Sequence, residues 1–253
     1  MKYALGNMLS NSNVITAGTN LLSGLIAYWK LEEASGTRYD SHGSYDLAEN
    51  VGIDSGVGVK GDCAISNSTY DDGRSLTISP SPYDSVGSSW SLSFWIATNG
   101  GDAPQMFPNA WGNCCIFTIP TIDGSQILRG QIWKDEQAGG DDGTDISKSG
   151  IYTGGFVHVA ITHHFPTKTV RVYYNGAEEH LVTYSTSLNS VVGGDGSSGG
   201  ENSLLSMFAG DLDGVNYAGP GKLDEVGIWG RAITAAEVSA LYNGGSGITY
   251  EEL

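Results

Sequence analysis

Apolar residues recur at every second position through much of the chain. In SLSFWIA, Leu92, Phe94 and Ile96 alternate with Ser91, Ser93 and Trp95. That period puts one set on each side of a pleated strand, so a run of this kind reads as β with one face in a core. Comparable runs predict strands at 25–31, 62–66, 74–79, 90–97, 115–119, 126–133, 156–163, 169–174, 179–184, 204–208 and 223–229. The Asn175-Gly176 pair between KTVRVYY and AEEHLVTY predicts a two-residue hairpin, because both central positions of a type I′ turn need positive φ. So many strands exceed one open sheet, and the pattern predicts an all-β fold of two antiparallel sheets packed face to face.

One segment breaks the alternation. After the strand at 223–229 and a turn at 230–233, residues 234–242 predict a short helix. TAAE at its start is a capping box, in which the Thr234 hydroxyl accepts from the Glu237 amide and the Glu237 carboxylate from the Thr234 amide. Ile233 and Val238 are placed to staple across the cap, Val238, Leu241 and Tyr242 form one stripe, and Gly244 and Gly245 supply a left-handed stop. Two to three turns do not persist alone in water, so this helix must dock on the sheets.

Composition supports the β reading and narrows the partners. The chain has 253 residues with 37 Gly and 16% charged residues, a balance suited to one large domain of short strands and polar turns. Its 28 acidic and 12 basic residues give a formal charge of −16, which repels a nucleic-acid backbone. Three cysteines, Cys63, Cys114 and Cys115, lack the spacing of a zinc site or an even disulfide framework, and read as buried thiols. No apolar run is long enough to span a bilayer, and the first residues show no signal-like apolar stretch. The division read from these patterns is a polar arm at 1–20, a domain at 21–247 and a tail at 248–253.

Five blocks carry a resemblance to a known family: GLIAYWKLEEASGTRYDSHGSYDL at 24–47, WSLSFWI at 90–96, GGFVHVAITH at 154–163, KTVRVYYNGAEE at 168–179 and GKLDEVGIWGRAITAAEVSALYNGG at 221–245. In this order they resemble the laminin-G-like, concanavalin A-like jelly-roll family, the last block most specifically. The resemblance implies a jelly-roll sandwich whose last strand pairs beside the first, with the small helix plugging one end. It also implies a structural calcium where those strands meet, near Glu32, Glu33, Asp40 and Asp224. The chain departs from the family in having Leu31-Glu32-Glu33 where Phe-Asp-Glu is usual, which puts any metal site relying on that Asp in question.

Catalytic chemistry finds little support in the pattern. Sandwich glycanases commonly carry Glu-x-Asp-x-x-Glu on one strand, so that acid and nucleophile face one groove; here no Glu is followed two residues later by Asp. Gly56 to Gly61 fits a dinucleotide pattern and Gly196 to Gly200 a nucleophile elbow, but neither sits between a strand and a helix. His158 reads as a hydrogen-bonded core residue, and Trp29, Trp95 and Trp229 as core. Candidate ligand contacts are Trp111 and Phe107, offering aromatic faces to a sugar ring, Asn109 and Asn113 as hydrogen-bonding groups, and Tyr217 from a later loop. The resulting expectation is a non-enzymatic module binding a surface glycan. The setting expected for it is a bacteriophage virion, as a tail, fibre or capsid-decorating protein. The arm would engage other virion proteins, with further copies of the chain as an additional partner. A purely structural virion protein and a glycan-degrading enzyme are the alternatives.

Overall fold

The computed structural model describes residues 20–67, 74–85, 89–98, 106–109, 121–122, 128–129, 131–133, 143–145, 148–149, 154–183, 204–212, 215–218 and 221–253. The arm at 1–20 (save Asn20), the strand expected at 115–119, Cys114, Cys115, Trp111 and Asn113 lie outside them.

The early chain forms β1 (Leu25–Trp29), β2 (Ala48–Glu49), β3 (Asp54–Val57), β4 (Asp62–Ser66) and β5 (Leu76–Ile78). Next come β6 (Trp90–Thr98), β7 (Met106–Asn109), β8 (Thr121–Ile122), β9 (Leu128–Arg129), β10 (Gln131–Trp133) and β11 (Gly143–Asp145). The remainder holds β12 (Val157–His164), β13 (Thr169–Tyr174), β14 (Ala177–Thr183), β15 (Leu204–Met207), β16 (Ala209–Leu212), β17 (Val215–Ala218), β18 (Gly221–Trp229) and α1 (Ala235–Tyr242).

Eight strands form the larger sheet in the order β14-β13-β12-β6-β18-β4-β3, with β1 also paired to β18. A four-stranded sheet, β2-β5-β15-β7, lies apart from it, and β8–β9, β10–β11 and β16–β17 are two-stranded pairs. The expected pairing of first and last strands is present, with Ala27 opposite Ile228 and Trp29 opposite Val226. Asn175 (φ 49°) and Gly176 (φ 77°) make the expected hairpin turn between β13 and β14.

Alternation sorts the larger sheet's residues into two apolar layers. Leu92, Phe94, Ile96, Val159, Ile161, Val172 and Ile228 face the core between the sheets, joined there by Leu76 and Met207 of the smaller sheet. Tyr28, Ala160, Tyr173 and Trp229 point the other way and pack with Leu21, Ile233, Val238, Leu241 and Ile248. The helix therefore does not plug one end of the sandwich; it lies over the outer face of the larger sheet. The reason is sequence-encoded: that face offers Trp229, Tyr28 and Tyr173, and an amphipathic helix of two turns gains most by covering them. Gly227 makes this possible, since a Cβ there would stand 2.5 Å from the Trp229 ring. Trp229 donates from its indole N–H to Leu21 O at 2.7 Å, tying the N-terminal turn to the same layer.

The capping box forms as expected. Glu237 N donates to Thr234 Oγ1 at 3.2 Å and Thr234 N to Glu237 Oε2 at 2.7 Å. Burial would raise the Glu237 pKa, but the Arg231 guanidinium and the Thr234 groups overcome it and hold the carboxyl below its usual value. At the other end Asn243 (φ 46°), ahead of the glycines, takes the first left-handed position. Residues 248–253 pack down as well: Lys30 Nζ reaches Glu251 at 3.0 Å, and Lys60 Nζ reaches Glu252 at 3.2 Å.

Candidate functional site

Two places in the fold gather the residues that the sequence singles out. The first is a fork in β18. Its residues Gly221 to Leu223 pair with β4, and Val226 to Trp229 with β1. Between them the register against β6 shifts, and Glu225 takes φ 48°. This bulge turns two adjacent carboxylates, Asp224 and Glu225, into the protein, where they are 0% and 4% exposed.

Asp224 Oδ2 accepts from Val59 N at 2.6 Å and Lys60 N at 3.2 Å, while its Oδ1 and both Glu225 oxygens have no hydrogen-bond partner among the described residues. The Tyr28 hydroxyl lies beside Glu225 but donates to Ile248 O at 3.4 Å. Burial pushes the Asp224 carboxyl up to about 7 and that of Glu225 up to about 8, with the neighbouring acids Asp224 and Glu32 adding to the latter. The fork is thus a pair of carboxyls that keep protons near neutral pH.

Three of the four residues expected near a calcium ion, Glu33, Asp40 and Asp224, accept from backbone amides. The carboxylate of Asp40 is spent on backbone amides: Oδ1 accepts from Tyr28 N and His42 N, both at 2.9 Å, and Oδ2 from Tyr45 N at 3.1 Å. Glu33 Oε1 accepts from Tyr39 N at 2.8 Å, and Glu32 stands 3.8 Å from Lys30 Nζ. Among the described residues no group of three or more Asp, Glu, His or Cys is arranged to hold a metal ion. Glu225, which shares the fork with Asp224, was missed because a bulge cannot be read from strand periodicity.

His158 is a core residue, as expected. It is 1% exposed, its Nε2 lies 2.9 Å from Ser93 Oγ, and its ring sits 5.0 Å from that of Trp95. Burial lowers its pKa to about 3, so it stays neutral and cannot collect a proton from a substrate. Cys63 is buried too, its thiol pushed up to about 12 mainly by burial.

The second place is the smaller sheet. Met106 pairs with Met207, whose side chain is fully buried in the core, and Phe107 and Asn109 occupy the alternate positions along the same strand. The register runs straight across four strands: Ala48 opposite Thr77, Thr77 opposite Ser206, Ser206 opposite Phe107. Ala48 is exposed and Thr77 half-buried. The hairpin β16–β17, which carries Tyr217 opposite Gly210, lies against β7. Phe107 and Asn109 thus lie on the edge strand of the smaller sheet, with β16 against that strand and Tyr217 one strand further on. Thr77 and Ser206 were not anticipated, although the polar centre of LTI and of LLSM was the signal for them.

A larger sheet whose outer layer packs with the C-terminal helix, set against a smaller antiparallel sheet, defines a jelly-roll sandwich. Residues 71–239 match the laminin G-type family described as the concanavalin A-like lectin/glucanases superfamily, and the chain belongs to it. A search of curated proteins finds no match to the sequence. Among solved structures the chain is similar to a botulinum neurotoxin type C whose cell entry depends on interaction with two ganglioside molecules. The two share 13% identity at a TM-score of 0.61, over 88% of this chain and 51% of that one. It is also similar to the binding domain of Paraclostridial Mosquitocidal Protein 1, with 19% identity, a TM-score of 0.60, and 89% and 53% of the two chains covered. A Trypanosoma rangeli sialidase in complex with a difluorinated sugar acid shares 11% identity at a TM-score of 0.59, over 90% of this chain and 34% of that one. The chain spans about half the length of the two toxin chains and a third of the sialidase. At these identities the likeness is one of fold.

Proposed function

We propose that the chain is a non-enzymatic carbohydrate-binding module that holds its ligand on the outer side of the smaller sheet. The observation that carries this reading is the cross-strand row Ala48–Thr77–Ser206–Phe107, with Asn109 one pleat on and the Tyr217 hairpin beside it. A flat run of short side chains admits a sugar ring, the hydroxyls of Thr77 and Ser206 can pair with sugar hydroxyls, and an aromatic ring offers a face for the sugar's C–H groups. The toxin neighbours support the binding half, since they are binding domains or meet gangliosides. The missing Glu-x-Asp pair and the neutral, enclosed His158 support the non-enzymatic half.

The test is a glycan array probed with the full chain beside a Phe107→Ala variant. Retention of one or more glycans by the parent and loss by the variant is the expected result; no retained glycan, or an unaffected variant, overturns the assignment. The virion setting belongs to the same proposal, with residues 1–20 as the tether, and its support is the polar makeup of that arm. Removing the arm should release the domain from the particle and leave glycan binding in place.

A further inference from the structure

We infer that this site takes an uncharged glycan and discriminates against acidic sugars, an inference that rests on the carbohydrate-binding reading above. The warrant is how charge is distributed along the strands that build the site. Between Lys60 and Arg129 the chain carries six acidic residues and a single basic one, Arg74; between His180 and Lys222 it carries four acidic residues and none that are basic. The first stretch supplies β5 and β7, and the second supplies β15 and the β16–β17 hairpin. Neither these strands nor β2 contains Lys, Arg or His, whereas β2 ends in Glu49 and β16 carries Asp211.

Among the described residues, seven cations outside these strands are engaged. Arg74 donates to Gly52 O. Six others, Lys30, Arg38, Lys60, Lys148, Arg171 and Arg231, are each ion-paired to a glutamate. A sialic or uronic acid carboxylate would find in these strands no guanidinium or ammonium to replace its water, and would sit in the field of a chain with formal charge −16. A neutral ring incurs neither cost. The preference thus runs opposite to that of a site that places a guanidinium or ammonium against an anionic sugar.

The experiment is equilibrium binding of the full chain to matched pairs of neutral and sialylated oligosaccharides, and of neutral and uronic acid-bearing ones, at low and high salt. The neutral member should bind about tenfold tighter at low ionic strength, with the gap narrowing as salt screens the acidic border. An Asp211→Lys variant should raise the ratio of sialylated to neutral binding severalfold. Equal or tighter binding of the acidic members overturns this inference while leaving the carbohydrate-binding reading intact. Binding of no member at all overturns that reading itself.

Discussion

Replacing Glu225 by Gln should stabilise the protein increasingly as pH rises from the ordinary carboxylate range toward about 8. Glu225 is 4% exposed, neither of its oxygens has a hydrogen-bond partner among the described residues, and burial raises its carboxyl from 4.5 to about 8. A carboxyl whose pKa is raised by folding binds its proton more tightly in the native state. The native state is therefore penalised progressively as pH climbs from the unfolded value toward the folded one, and carries the whole penalty above about 8. Moving a pKa over that interval corresponds to roughly 4–5 kcal/mol. A glutamine keeps the shape and removes the charge, but buries an amide that also lacks partners, so about 2 kcal/mol should be recovered. For a domain of this size that is about 6 °C in Tm. Thermal unfolding of parent and Glu225→Gln at pH 5 and pH 8.5 is the assay. The variant should melt lower at pH 5, where little charge penalty is relieved and the buried amide still costs, and higher at pH 8.5. The variant should itself lose stability between those values through Asp224, which titrates at about 7. A parent that gains stability from pH 5 to 8.5, or a variant that melts lower at pH 8.5, refutes the reasoning.

Other substitutions test separate parts of the fold. Gly227→Ala should cost about 2 kcal/mol, because its Cβ would press on the Trp229 ring that seats the helix, and urea unfolding would show it as a lowered midpoint. Thr234→Ala should cost about 1 kcal/mol by removing the capping hydroxyl, with circular dichroism showing an unchanged β signal. Asp40→Asn should cost about 1–2 kcal/mol equally in calcium and in chelator, since that side chain serves three backbone amides; a penalty confined to the calcium sample would identify it as a ligand.

The strand pattern was legible wherever one face meets a core. Strands at 62–66 and 169–174 have the expected bounds, because Cys63, Ala64, Val170 and Val172 are buried among polar neighbours. Short strands such as β2, β3 and β16 were not legible, since two to four residues give no period to count. The site divides along the same line. Phe107, Asn109 and Tyr217 stood out as residue types, but Thr77 and Ser206 join them through register alone, and register depends on pairing between strands distant in sequence. The fork was half legible: Asp224 was named from family position, whereas Glu225 became its buried companion through a backbone bulge. The backbone amides that Asp40 and Glu33 meet were not legible, because family position does not reveal which amides a carboxylate will face.

The most direct test of the central claim is amide chemical-shift mapping of the full chain as a neutral oligosaccharide selected on the array is titrated in. Perturbation should concentrate at Thr77, Ser206 and Phe107, leaving Trp95, Tyr173 and the helix beneath Leu241 unmoved. Shifts confined to the helix-covered side of the larger sheet would contradict a ligand site on the smaller one.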